Sequence, residues 1–111
     1  MIWIISGTQD GREIGAALAD REQSKPEGER REILMTVVSQ YGKVLAAHKG
    51  LDIEVGRFRE EDMLRVIAEK GISLILDASH PYAAIVSETA RAACTKAGID
   101  YVRYERAEIP L

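Results

Sequence analysis

Three short runs made almost wholly of apolar residues constrain this chain most: residues 2–5, 33–38 and 74–76. A strand with one wet face alternates apolar and polar side chains, whereas an unbroken apolar run of this length belongs to a strand covered on both faces. Between the runs the spacing becomes helical. Ile14, Ala17 and Leu18 mark a helix over 11–22, Met63, Leu64 and Ile67 one over 60–70, and Val86, Ala90, Ala93 and Ala97 one over 82–97 that Gly98 stops. A shorter helix is expected within 39–49. Strands alternating with helices predict an α/β fold with a parallel sheet and helices on both faces.

The remaining two strands fix the order. Asp52-Ile53-Glu54-Val55 and Tyr101-Val102-Arg103-Tyr104 alternate, as edge strands do when one face meets water. A five-stranded sheet in the order 3-2-1-4-5 puts both at edges; the order 2-1-3-4-5 would expose the apolar second strand instead.

Several function classes are set aside by composition. The formal charge is only -3, with fifteen basic residues spread among eighteen acidic ones, so the basic stripe of a nucleic-acid binder is absent. Between Ala19 and Glu32 nine of fourteen residues are charged, which reads as a solvated helix end and loop. Cys94 has no cysteine to pair with and lies in an Ala-rich helical stretch, so it is expected to serve as a small buried apolar residue. The apolar run 1–5 is far too short for a signal peptide or a membrane span, and cytoplasm is the default compartment. No residue set is assigned to a metal.

In the predicted order the chain reverses direction between the first and fourth strands, and ligands of open α/β sheets bind beyond the carboxyl ends at such a switch point. Two loops meet there: Ser6-Gly7-Thr8-Gln9-Asp10-Gly11 and Asp77-Ala78-Ser79-His80-Pro81. Gly7 would permit a tight turn, Gly11 a close approach of a helix N-terminus to a ligand, and Gly15 close helix–strand packing. Exposed amides at that N-terminus suit a diphosphate; alternatively, small residues simply make a short turn. The second strand ends in Val38-Ser39-Gln40-Tyr41-Gly42-Lys43 without the acid that takes the adenosine ribose of NAD. Ser39, with Lys43 or Arg12, offers a place for a 2′-phosphate and points to NADPH over NADH. His80 precedes Pro81 and is driven to extended backbone. Either it faces a ligand in the crevice, or Ser79 caps and Pro81 starts the next helix with His80 incidental.

The motif Asp77-Ala78-Ser79-His80-Pro81-Tyr82-Ala83 is similar to the Asp-Ala-(Ser/Thr)-His-Pro-(Tyr/Phe)-Ala signature of the precorrin-6A reductases of cobalamin biosynthesis, the cobalt-precorrin-6A reductases included. The opening SGTQDGREIG resembles that family's Gly-Thr-x-(Glu/Asp)-(Gly/Ala)-Arg start, VVSQYG its second-strand Ser-x-x-Gly element, VGRF its glycine after the third strand, and YVRYER its closing strand. Ser6 departs from the pattern, standing where many members have a further glycine.

The resemblance implies a Rossmann-like domain over 1–111, one of two in the family, and NAD(P)H-dependent reduction of a double bond in a tetrapyrrole, with or without cobalt. It implies cofactor contacts at Gly7, Thr8, Asp10, Gly11, Arg12, Ser39 and Gly42, and substrate contacts at Ser79, His80 and Tyr82. The family's second, C-terminal domain is missing from the chain, so the resemblance also implies that this part is inactive alone. Hydride addition to one end of a conjugated system needs a proton at the other, and a histidine suits proton transfer near neutral pH. His80 is the candidate catalytic residue. His48 is expected at the surface, Asp77 as an acceptor for its loop, and Tyr82 either stacks on a flat ring or packs. A non-catalytic nucleotide-binding or regulatory module is the alternative, although it leaves the His-Pro loop without a task.

Overall fold

The computed structural model describes residues 1–80 and 83–105. Within them β1 (Ile2–Ser6), β2 (Ile33–Val37), β3 (Leu51–Val55), β4 (Leu74–Ala78) and β5 (Asp100–Arg103) build one parallel sheet in the order β3-β2-β1-β4-β5. This is the predicted order, for the predicted reason: every residue of β1 and β2 is buried, while β5 alternates exposed and half-buried positions and β3 is only partly covered.

Successive side chains of a strand point to opposite faces, and β1 divides its residues accordingly. Trp3 and Ile5 join Leu34 and Ile75 beneath α3 (Glu60–Lys70) and α4 (Ala84–Ala97), where Met63, Ile67, Ala90, Ala93 and Cys94 complete one core. Ile2 and Ile4 join Ile33, Met35 and Val37 on the other face, under Ala19 of α1 (Gln9–Gln23) and Ala46 of α2 (Gln40–Ala46). Gly71 and Gly98 end α3 and α4 in left-handed conformation, with φ of 65° and 71°, where a Cβ is disfavoured.

Local packing corrects two expectations. The buried side of α1 is Gly11, Gly15, Ala19 and Glu22, whereas Ala17 is exposed and Ile14 and Leu18 are half-buried. A stripe of small residues lets the helix lie so close to the sheet that a Cβ on Gly15 would collide with Met35 Cε. On α4, Ala97 is exposed, and Cys94 lies in the core. Burial, with the nearby Asp100 charge, pushes the Cys94 thiol up to about 11, so it behaves as the expected small apolar residue.

The charged segment after α1 is mostly solvated but contains one anchor. Glu22 is buried and accepts hydrogen bonds from Lys25 Nζ at 2.8 Å and the Arg31 amide at 2.6 Å. The Lys25 hydrogen bond, followed by that of the Arg31 amide, holds its carboxyl below the ordinary carboxylate range. Arg30 turns back onto the carbonyls of Lys25 and Gln23.

Candidate functional site

The parallel register places Ser6 opposite Ala78, so the loops after β1 and β4 leave the sheet at the same level. Thr8 joins them. It caps α1 by accepting from the Gly11 amide at 3.0 Å, and its hydroxyl donates to the Ala78 carbonyl at 3.2 Å. A Cβ on Gly7 would lie 3.4 Å from the His80 amide nitrogen. Gly7, Thr8, Ser79 and His80 therefore come together as expected. Gly11 has a packing task in addition to the close ligand approach expected of it: a Cβ there would stand 2.8 Å from Ser6 Oγ and 3.1 Å from Ala78 Cβ. Its missing side chain makes room for the strand ends, and its amide is taken by Thr8.

His80 is exposed at the mouth of the sheet, and its carbonyl accepts from the Ala83 amide at 2.8 Å. Ser79 does not cap α4. That helix begins at Ala84 without a side-chain cap, and the Ser79 hydroxyl instead donates to Asp77 Oδ1 at 2.6 Å. Tyr82, the other expected substrate contact, lies outside the described residues, as does Pro81.

Asp77 is fully buried and accepts from the Ser79 amide, the hydroxyls of Ser79, Ser87 and Tyr101, and the Arg103 guanidinium. Burial alone would raise its carboxyl, but the hydrogen bonds from Ser79, Ser87 and Tyr101 outweigh that and hold it below its ordinary value. The Tyr101 phenol is raised, by burial first and then by its bond to Asp77. Asp77 is thus the loop acceptor expected. Ser87, Tyr101 and Arg103 were not foreseen, although Tyr101 and Arg103, two positions apart on an edge strand, share a face.

At the end of β2, Ser39 caps α2 through the Gly42 amide at 3.0 Å. The space beside Gly42 is filled by Ser39 Oγ and Val37, so this pair has a structural task at the helix start. Arg12, half-buried on α1, donates its amide to the Thr8 carbonyl. His48 is at the surface as expected, 2.8 Å from Asp20.

Among the described residues, clefts open at the carboxyl ends. One of about 230 Å³ lies over β1, β2 and the segment after β3, with Val38, Phe58 and Ile85 giving apolar walls and Arg57 and Ser6 polar groups. Val38 and Ile85 are 58% and 80% exposed, which keeps its rim apolar. Trp3 and Phe58, which both line it, meet edge-to-face with ring centroids 5.3 Å apart. A smaller cleft of about 60 Å³ brings Thr8, Asp10 and Ser79 together with Arg103. Arg57 and Phe58 were missed as lining residues because only the glycine of Gly56-Arg57-Phe58 carries a backbone signal. A wider depression of about 630 Å³ lies at the opposite end, among Met1, Arg31 and Asp52, away from the switch point.

Comparison with known proteins agrees with this architecture. The model of the family described as precorrin-6x reductase CbiJ/CobK matches residues 1–111. The chain is 35% identical over 107 residues to the cobalt-precorrin-6A reductase of Priestia megaterium, covering 96% of this chain and 39% of that protein. It is 30% identical over 111 residues to the cobalt-precorrin-6A reductase of Synechocystis sp., covering 99% and 40% respectively. A solved structure of CobK precorrin-6A reductase superposes with a TM-score of 0.76 at 23% identity, over 99% of this chain and 40% of that one, and shares the fold. The chain thus spans about 40% of the length of these relatives. With its glycine loop and strand order in place and the family model matching its full length, the chain belongs to the precorrin-6x reductase family, CbiJ/CobK.

Proposed function

We propose that residues 1–111 form the N-terminal Rossmann-like domain of a cytoplasmic reductase that uses NADPH, or NADH, to reduce a double bond of precorrin-6A or its cobalt form in corrin ring biosynthesis. A second, C-terminal domain completes the active site, and the present domain is inactive alone. Family membership supports the reaction class. The observation that supports the reading is the meeting of the two loops at the switch point of the sheet, where the main chain of His80, an exposed residue, comes against Gly7.

The residues present fit a dinucleotide. Gly7 leaves the main chain open at the turn into α1, whose N-terminal end favours an anion. Thr8 and Arg12 flank that turn, and Asp10, an acceptor, suits a ribose hydroxyl better than a phosphate. The apolar cleft with Arg57 at its side accommodates a flat ring bearing an anionic group. Ser39 and Gly42 stand at the neighbouring strand end for a 2′-phosphate, which favours NADPH.

When bound, the cofactor supplies a hydride, and with it the electron pair that saturates one end of the conjugated system. His80 supplies the proton to the other end from an imidazole nitrogen, or holds the ring in place while water does so. Ser79 and Tyr82 contact the tetrapyrrole beside it. In the longer reductase, His80→Ala is expected to lower kcat by about 100-fold or more, the usual contribution of a general acid; wild-type turnover would remove His80 from the mechanism. Calorimetric titration of the 111-residue chain with NADPH and with NADH tests the cofactor reading. Saturable binding that Gly7→Val weakens supports it, and no binding of either nucleotide overturns the placement of the cofactor on this domain.

A further inference from the structure

We infer that Asp77 and Arg103 form a bracket that positions the His80 loop, with Arg103 as the positioning residue contributed by the edge strand. The two carboxylate oxygens of Asp77 have different partners. Oδ2 accepts from Ser87 Oγ on α4 and Tyr101 Oη on β5, both at 2.6 Å. These bonds fix the carboxylate to two neighbouring elements of the scaffold. Oδ1 faces the loop, accepting from the Ser79 amide at 3.0 Å and the Ser79 hydroxyl at 2.6 Å. One side of the carboxylate is thus held by the frame, and the other holds the residue immediately before His80.

Arg103 closes the loop side. Its Nη1 lies 3.1 Å from Asp77 Oδ1, 2.9 Å from the Ser79 carbonyl and 3.1 Å from Ser79 Oγ. The Ser79 carbonyl belongs to the peptide that leads into His80, so the guanidinium holds that peptide directly. All of these contacts come from one nitrogen, whose two N–H groups are oriented by the plane of the permanently charged guanidinium, while Nη2 lies 3.5 Å from Glu105 Oε1. The guanidinium charge also compensates a carboxylate that is fully buried. Stability alone does not require this arrangement, because a buried ion pair is commonly no better than an apolar substitute. Precise placement of an adjacent functional side chain does require locked supporting hydrogen bonds.

The functional weight of the bracket rests on the reading of His80 given above, but its geometry is tested without any ligand. In the 111-residue chain, the rate of hydrogen exchange at the Ser79 amide and the His80 ring resonances are followed in Arg103→Met, Arg103→Lys and Tyr101→Phe. Tyr101→Phe removes one scaffold bond to Oδ2 and leaves the loop side intact. For Arg103→Met, Ser79 exchange is expected to rise about tenfold, the equivalent of one lost hydrogen bond, and the His80 signals to shift and broaden. Arg103→Lys is expected to restore them in part. Tyr101→Phe is expected to lower the melting temperature while leaving Ser79 exchange, measured relative to global opening, and the His80 signals as in wild type. Equal effects of Arg103→Met and Tyr101→Phe on the loop would reduce Arg103 to general support and overturn the inference. If Arg103→Met fails to fold, loosening of the loop in Ser87→Ala as large as that in a folded Arg103→Lys overturns it too. A chain that binds no nucleotide yet shows the predicted loop response would refute the cofactor reading and leave the bracket standing.

Discussion

Gly11→Ala separates a packing role from a ligand role at the glycine loop. The added Cβ meets Ser6 Oγ at 2.8 Å, Ala78 Cβ at 3.1 Å and the Ala78 carbonyl oxygen at 3.3 Å. None of these is the free end of a long side chain: Ser6 and Ala78 are buried, paired residues of adjacent strands. Relief requires α1 to move away from the sheet, and overpacking of this kind costs about 1–3 kcal/mol. Against it stands a gain of up to about 1 kcal/mol for replacing glycine in a helix, reduced because residue 11 lies in the first turn. The net expectation is a loss of about 1–2 kcal/mol, or roughly 5–15 °C in melting temperature for a domain of this size. Thermal and urea unfolding followed by circular dichroism, with fluorescence of the sole tryptophan Trp3 as a second probe, reads this directly. Gly28→Ala is the control, since nothing lies within 4 Å of a Cβ there, and it is expected to be neutral or to gain about 0.4–1 kcal/mol. A Gly11→Ala chain that melts with the wild type or above it refutes the packing argument. If such a chain also lost nucleotide binding, the glycine would serve the ligand after all.

Three further outcomes follow from named groups. Because the folded carboxyl of Asp77 lies below its ordinary 3.8, its stabilising contribution is present above that pH and lost as the pH falls through the folded value; urea midpoints at pH 7 and pH 3 should therefore converge for wild type and Asp77→Asn on acidification. The Cys94 thiol, with a folded value of about 11 against an ordinary 9.0, should react with a thiol-specific reagent at pH 8 only as fast as the chain opens; fast labelling of the native chain would contradict its burial. Gly98→Ala should cost about 1 kcal/mol although space is open around it, because its φ of 71° is unfavourable for a residue with a Cβ; an unchanged urea midpoint would count against the left-handed stop.

The sequence by itself determined the frame of this protein. Apolar runs at 2–5 and 33–38 placed β1 and β2 inside the sheet, alternation placed β3 and β5 at its edges, and Gly98 marked a helix end. From that order alone, the His-Pro loop had to face the glycine loop. These are local signals: burial on two faces, period two, and backbone freedom at one residue can each be read from a few neighbours. Tertiary structure decided which side chains converge. Arg103 reaches Asp77 across 26 residues of chain, Tyr101 across 24, and Thr8 bonds to Ala78 across 70. Glu22 looked like one more charge on a wet helix end until Lys25 and the Arg31 amide closed around it, and the packing of Gly11 against Ser6 and Ala78 is not visible in the loop's own residues. A side chain's composition does not reveal whether its partner lies in solvent or on another strand. Only the folded register places donor and acceptor within 3 Å, and at Asp77 that register turned five scattered donors into one bracket.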